Sequence, residues 1–331
     1  MKIDAILVAA VMALSMPAPA LAAYRIVDRI KVPDGNFDYA TFDPTTGHVF
    51  MPRGAFTTVI DAKSGQVSTF SDGAADHIAL PIPDTNVLIL TERNGAIRIL
   101  DKISGKIVKD LAGEKNPNSA AYDPVTKLTF VMNKDSGTAT IVDAKAGQAV
   151  GRIPVSPNTL EFPVADGAGM IFDNIETTGE IAVIDARLRK VVRVIKLSGC
   201  EEPSGLAYAA GLLISACGNG VAKIVKAGDG SEVASVPIGH GPDAVIYDPK
   251  RKMAFVPCGR DGVLDVIAMG DPTKIALVQQ LKTEQGSRTG TIDPGTGRLY
   301  VMASKPDMAH MQPNGRPARL PGSWEVLVIG P

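Results

Sequence analysis

Seven polar or charged residues recur at intervals of about 40 residues along this 331-residue chain, each shortly before a turn-forming segment. They are Asp38, His77, Asn118, Thr159, Ser204, Asp243 and Arg288. Carboxylates, an imidazole, amides, hydroxyls and a guanidinium can together hold a small polar ligand through charge and hydrogen bonds. The same groups can instead form a structural ring of ion pairs, and the sequence leaves both interpretations open.

A repeated pattern of strands must position these residues. The stretch VIDAKSGQV at residues 59–67 recurs as ILDKISGKIV, IVDAKAGQAV and VIDARLRKVV. Each copy follows a run rich in Val, Ile and other strand-forming residues, and most of these runs follow a turn such as DPTTG or DPGTG. Helical periodicity is absent. Seven such units predict an all-β, seven-bladed β-propeller of four-stranded antiparallel blades.

The two ends of the chain indicate how the ring closes. The seventh unit ends at WEVLVIGP, which is only its third strand. The segment YRIVDRIKV at residues 24–32 resembles the fourth strand of the other units. We therefore expect the N-terminal strand to complete the last blade, which leaves no open sheet edge.

The repeat resembles that of a known family. The stretch FVMNKDSGTATIVDAKAGQAVGRIPV at residues 130–155 is similar to the repeat of the YVTN β-propeller family, with FVMN in place of the signature tetrapeptide. YVMA at residue 300 and FVPC at residue 255 are weaker matches to the same tetrapeptide, and the resemblance covers nearly all of the chain after residue 22. It implies a propeller that is often exported. Similar propellers also occur in lactone-hydrolysing enzymes and in redox enzymes with quinone cofactors, so the fold does not settle the function.

Fold logic places the seven recurring residues around the mouth of a central channel, at the entrances of the innermost strands. Because the seventh blade neighbours the first, a charged arc is predicted from Asp243, Arg288, Asp38 and His77. A neutral arc of Asn118, Thr159 and Ser204 is predicted opposite. His240, in the segment GHGPD, is a further candidate ligand-binding residue.

Three cysteines are present, Cys200, Cys217 and Cys258. The first two fall at the same end of one predicted hairpin in the fifth blade, so we predict a disulfide between them and a free Cys258. A bond between Cys217 and Cys258 across blades is the rival pairing.

The last unit carries an insertion, residues 304–323, between its second and third strands. We expect it to project as a long loop from the face of the channel mouth, as a lid or partner-binding arm. Met308, His310 and Met311 are donors that suit copper. No outside ligand accompanies them, and we predict no metal site.

The first 22 residues have the pattern of a signal peptide: Lys2, a short apolar run and the small residues Ala20 and Ala22 before a cleavage point. This predicts export to the periplasm or outside the cell, with residues 23–331 as a single propeller domain. No other apolar run is long enough to span a membrane. A net charge of −1 disfavours nucleic acid as the main partner.

Motifs for common catalytic and cofactor sites are absent from the sequence, including GxSxG, HExxH and nucleotide-binding glycine loops. We therefore expect no cofactor. The sequence favours a monomeric, non-catalytic propeller that binds a small polar ligand or a protein partner at the channel mouth. The alternative is a lactonase-like hydrolase that uses polar residues of the same mouth.

Overall fold

The computed structural model describes residues 23–70, 74, 77–312 and 317–331. The predicted signal peptide lies outside these residues. Every regular element of the described chain is a β-strand, and none of it forms an apolar helix of membrane-spanning length. The predicted all-β class is confirmed.

Seven four-stranded antiparallel sheets form the blades. The first strand of the chain, β1 (Arg25–Lys31), belongs to the last blade. Blade 1 consists of β2 (Thr41–Asp43), β3 (His48–Pro52), β4 (Thr57–Asp61) and β5 (Val67–Phe70). Blade 2 consists of β6 (Ala79–Pro81), β7 (Val87–Thr91), β8 (Ala96–Asp101) and β9 (Ile107–Ala112). Blade 3 consists of β10 (Pro117–Asp123), β11 (Leu128–Asn133), β12 (Thr138–Asp143) and β13 (Gln148–Pro154).

The next three blades repeat this order. Blade 4 consists of β14 (Leu160–Ala165), β15 (Met170–Ile175), β16 (Glu180–Asp185) and β17 (Lys190–Lys196). Blade 5 consists of β18 (Pro203–Ala209), β19 (Leu212–Cys217), β20 (Val221–Lys226) and β21 (Glu232–Pro237). Blade 6 consists of β22 (Ile246–Asp248), β23 (Met253–Cys258), β24 (Val263–Ala268) and β25 (Ala276–Lys282).

The seventh blade joins the two ends of the chain. It contains β26 (Gly290–Asp293), β27 (Arg298–Ala303) and β30 (Glu325–Gly330), and β1 pairs antiparallel with β30 as its outermost strand. Ile26 lies opposite Ile329, and Lys31 lies opposite Glu325. The predicted closure by the N-terminal strand is therefore confirmed.

The hydrophobic core lies between neighbouring blades. Phe130 and Met132 of blade 3, for example, pack with Ile171 and Ile175 of blade 4. All six residues of β11 are buried, whereas the outermost strands are largely exposed. A single blade cannot cover both of its faces, so stacking of the repeated units supplies the burial that stabilises each of them.

Local chemistry accounts for the tight turns on the face opposite the channel mouth. Gly65 has a φ of +73°, which favours glycine, and its N–H donates to the carbonyl of Asp61 at 2.8 Å. The Asp61 carboxylate accepts hydrogen bonds from the N–H groups of Lys63 and Ser64. These bonds form within the turn itself, and the hydroxyl of Tyr300 in blade 7 also donates to the carbonyl of Ala62.

The predicted disulfide is present. Cys200, in the loop that enters blade 5, is bonded to Cys217 at the end of β19, with a Cα–Cα distance of 5.3 Å. Cys258 is buried and free, so the rival pairing was wrong.

The insertion of residues 304–323 forms a hairpin instead of an irregular loop. Its strands are β28 (Pro306–Met311) and β29 (Pro317–Arg319), and residues 313–316 lie outside the described residues. The hairpin is tied to the body of the protein because Arg319 Nη1 donates to the carbonyl of Gln285 at 2.7 Å and the N–H of Gly322 donates to Asp34.

Candidate functional site

Strand pairing decides which residue each blade contributes to the channel mouth. In blade 3, Asn118 directly follows Pro117, the residue that pairs with the last residue of β11. In blade 4, Leu160 makes the equivalent pair with the last residue of β15. Glu161, and not Thr159, is therefore the counterpart of Asn118. The ring of equivalent residues is Asp38, His77, Asn118, Glu161, Ser204, Asp243 and Arg288.

The four residues of the predicted charged arc form two contacting pairs. His77 Nδ1 lies 2.8 Å from Asp38 Oδ2, and its Nε2 lies 2.9 Å from Asn116 Oδ1. Arg288 Nε donates to Asp243 Oδ2 at 2.6 Å. The Arg288 guanidinium also lies 5.0 Å from the centre of the Phe37 ring. Whether this arc binds a ligand remains a prediction.

Tyr39 crosses the channel from blade 1 to blade 4. Its hydroxyl donates to Glu161 Oε1 at 2.8 Å and lies 3.5 Å from Asp243 Oδ1. Its ring packs against Phe162 with 4.6 Å between ring centres. The side chain is almost fully buried, so it fills the middle of the channel and gives the mouth a floor.

The side opposite the charged arc is also charged, contrary to the predicted neutral arc. Lys134, from the loop between β11 and β12, pairs with Glu161 and lies 3.0 Å from Glu176 Oε2. Burial lowers the pKa of Lys134, but the two carboxylates raise it more, so that it stays protonated. Ionisable groups therefore face each other across the mouth.

Burial perturbs the acidic groups of the ring. It raises the pKa of Glu161 to about 7, although Lys134 opposes this effect, while the nearby Asp243 and Glu176 add to it. Burial also raises the pKa of Asp243, against the opposing effect of Arg288 and with a further contribution from Asp38. The cations of the mouth thus do not fully compensate its carboxylates.

Several polar atoms at the mouth have no partner among the described residues. Asp38 Oδ1 accepts no hydrogen bond, and the two terminal nitrogens of Arg288 donate none. Asn118 is 3% exposed, yet its Oδ1 atom has no hydrogen-bond partner. The side chains of Asp38 and Asp243 are each 17% exposed and that of Arg288 is 29% exposed. Solvent or a ligand can therefore reach these three charged side chains.

The other predicted residues lie apart from this cluster. His240 is exposed, and its Nδ1 lies 3.0 Å from Asp261 Oδ2 in the loop between β23 and β24. The Ser204 hydroxyl donates to the carbonyl of Pro242 at 2.9 Å. Although Asp38 and His77 are in contact, Ser204 does not complete a catalytic triad with them.

Within the described residues, no group of three or more His, Cys, Asp or Glu side chains is placed to hold a metal ion. In the hairpin, His310 Nδ1 lies 2.8 Å from Asp307 Oδ2, and Met308 is largely exposed. The absence of a metal site at this segment remains a prediction.

An apolar funnel leads into the channel from the tight-turn face. It has a volume of about 520 Å³, and Phe162 is among its lining residues, with Tyr122, Leu206 and Tyr208. None of the described residues that line it is charged. The sequence interpretation explained this face by turn chemistry alone and missed the funnel.

The sequence interpretation also missed Tyr39, Lys134 and Glu161. A signal was present for Glu161, which is the only charged residue within an innermost strand other than the aspartates that end such strands. A charged residue inside an apolar strand is rarely buried without a partner. No comparable local signal distinguishes Lys134.

No protein-family model and no curated protein matches this sequence. Solved structures match the fold. One is a chain in the crystal structure of a mitotic checkpoint complex, with a TM-score of 0.74 and 15% identity over 90% of this chain and 95% of that chain. Another is hydrazine synthase of Kuenenia stuttgartiensis, with a TM-score of 0.71 and 15% identity over 82% of this chain and 94% of that chain. At this identity the similarity shows the fold alone, and the chain is a seven-bladed β-propeller.

Proposed function

We propose that the protein is a non-catalytic propeller that binds a small polar ligand at the channel mouth. The observation that carries the proposal is the set of partly exposed charged groups, Asp38, Asp243 and Arg288, that converge above the floor formed by Tyr39. Propeller stability comes from apolar packing between blades and does not require such a cluster. Partly desolvated charges with unused hydrogen-bonding atoms are typical of ligand sites.

The proposal includes export and membership of the YVTN-repeat family. Residues 1–22 read as a signal peptide, and the bond between Cys200 and Cys217 is consistent with an oxidising compartment outside the cytoplasm. The repeated strand-turn-strand phrase supports the family. On this view residues 23–331 form a monomeric periplasmic or secreted domain.

The test uses protein isolated from the periplasm of its own host, as wild type and as Asp243→Asn. Native mass spectrometry should show a low-mass species on the wild type that is released on denaturation and is absent from the variant. Glu201→Gln, an exposed carboxyl on the same face, serves as the matched control and should retain the species. A wild type without any bound species, or a variant that retains it, contradicts the proposal.

A protein partner on the same face is a second candidate, and the hairpin of residues 304–323 favours it. Met308 is 68% exposed and Met311 is 57% exposed, and such flexible apolar side chains are common at binding surfaces. A pull-down from periplasmic extract with and without this hairpin tests the candidate. Equal recovery of partners by both forms would count against it.

The lactonase alternative receives less support from the geometry. Both ring nitrogens of His77 face other side chains, so neither is directed at a substrate as a base. The Nε2 atom of His240 has no hydrogen-bond partner in the described part of the chain, but His240 lies outside the central cluster. We expect no turnover on a panel of lactones and esters. Turnover that disappears in His240→Ala or Asp243→Ala would establish the hydrolase.

A further inference from the structure

We infer that the channel mouth binds small primary amines in their protonated form, with the ammonium group donating hydrogen bonds to Asp38 and Asn118. The inference rests on the proposed function, because it names the ligand class for the same mouth. It goes beyond that function in predicting which charge the ligand carries and which atoms it contacts.

The first observation is the balance of charge at the mouth. Among the residues that the structure describes, four carboxyl groups face two cationic side chains there: Asp38, Glu161, Glu176 and Asp243 against Lys134 and Arg288. Arg288 is already engaged by Asp243, and Lys134 by the two glutamates. Among the described residues, His77 is therefore the only charged or titratable partner in direct contact with Asp38. A mouth with surplus carboxylates attracts cations and repels anions.

The second observation is independent of charge. Asn118 occupies the ring position between those of His77 and Glu161, so the strand register turns its side chain toward the mouth. It is 3% exposed, and its Oδ1 atom has no partner among the described residues. A buried acceptor left without a donor costs free energy, and a ligand that donates a hydrogen bond removes this cost.

The unfilled acceptors at the mouth thus belong to a carboxylate and to an amide, and the unfilled donors are the terminal nitrogens of Arg288, which Asp243 already neutralises. An ammonium group offers three donors and a positive charge, which suits each of these acceptors. A neutral alcohol offers one donor and no charge, and a carboxylate offers no donor. Since Tyr39 and Phe162 close the channel below, the ligand must enter from the mouth and must be small.

The fluorescence of one tryptophan can report binding at the mouth. Trp324 is the only tryptophan in the sequence, and its ring lies 5.5 Å from that of Phe37. The guanidinium of Arg288 lies on Phe37 in turn. Tryptophan emission should therefore respond when the charged arc is occupied, and calorimetry on the same samples measures the affinity.

The experiment uses the protein from which the predicted signal peptide, residues 1–22, has been removed. It is titrated with propylammonium chloride, sodium propionate, 1-propanol and calcium chloride. Saturable binding of propylammonium is expected at millimolar concentration, without binding of the other probes over the same range. Asp38→Asn should weaken propylammonium binding at least fivefold. Asn118→Asp, which adds a carboxylate of the same shape, should strengthen it. The control Glu201→Gln removes one carboxylate from the same face and should leave binding unchanged.

The outcomes separate this inference from the proposed function. Binding of propionate, 1-propanol or calcium that depends on Asp38 would overturn the amine inference and would leave a small-ligand site in place. Propylammonium binding that is equal in the wild type and in Asp38→Asn would overturn the inference as non-specific. Failure of every probe also overturns it, while a species retained in native mass spectrometry would still support the proposed function.

Discussion

Replacement of Glu161 by glutamine should change how the stability of the propeller depends on pH. In the folded protein burial raises the pKa of Glu161 to about 7, whereas its ordinary value is 4.5. Between these values the folded state keeps a proton that the unfolded state has lost. The free energy of unfolding contributed by Glu161 is therefore fully present below pH 4.5 and is lost as the pH rises through 7.

The size of this effect follows from the two pKa values. A difference of about 2.5 units corresponds to about 3 kcal/mol, most of which is lost between pH 5 and pH 8. Glutamine has nearly the shape of protonated glutamic acid but does not titrate. The wild type should accordingly lose about 2.5 kcal/mol relative to Glu161→Gln across this range. Burial also raises the pKa of Asp173 and of Asp243. Because these carboxyl groups interact with the charge of Glu161, their contributions do not cancel in the difference between the two proteins, and the value of about 2.5 kcal/mol counts the titration of Glu161 alone.

The assay is urea unfolding of the oxidised protein at several pH values, followed by the fluorescence of Trp324. Glu201→Gln is the control, because it removes an exposed carboxyl, and its curve should run parallel to that of the wild type. A free-energy difference between wild type and Glu161→Gln that stays constant from pH 5 to pH 8 would refute the reasoning. It would show that Lys134 compensates Glu161 fully.

Three further predictions concern the frame around the mouth. Deletion of residues 24–32 removes β1 from β30 and exposes a sheet edge, so we expect aggregation or a much lower unfolding midpoint in thermal melts; a deletion variant that melts like the parent would contradict the role of this closure. Replacement of Cys200 and Cys217 together by serine opens a loop with a sequence separation of 17 and should cost about 3 kcal/mol in urea unfolding, with Cys258 unmodified by alkylation until the protein unfolds; an unchanged midpoint would argue against the estimate. Replacement of residues 305–321 by a four-residue glycine-rich turn should change stability by about 1 kcal/mol or less, because β27 and β30 pair without the hairpin, and should weaken binding at the mouth. Large destabilisation with unchanged binding would instead identify the hairpin as a structural brace.

The fold could be predicted from the sequence because its determinants are local and repeated. Turn residues such as Gly65 mark each unit, and runs rich in Val, Ile and Thr mark the strands. The count of seven units and the missing fourth strand of the last one predict closure by β1. The Cys200–Cys217 bond was also predictable, because both residues lie at one end of a single hairpin whose strands are adjacent in the chain.

The candidate site could be predicted only in part. Counting from the turns places Asp38, His77, Asp243 and Arg288 in one arc, and the structure brings them into two contacting pairs. The same counting fails in blade 4. The turn-like segment VADGAG starts at Val164, but the turn in the structure begins two residues later, at Asp166. A shift of two residues leaves every side chain on the same face of the strand, so the apolar pattern cannot reveal it.

The sequence by itself thus determined the strands, their number, the closure of the ring and the disulfide. Only the tertiary structure decided that Glu161 belongs to the ring, that Tyr39 fills the channel and that Lys134 neutralises part of the opposite side. These contacts join blades 1, 3, 4 and 6, and those of Tyr39 connect residues that are 122 and 204 positions apart in the chain. Local pattern sets the direction of a side chain within its own blade, whereas its partners across the channel depend on how all seven blades are arranged around the axis.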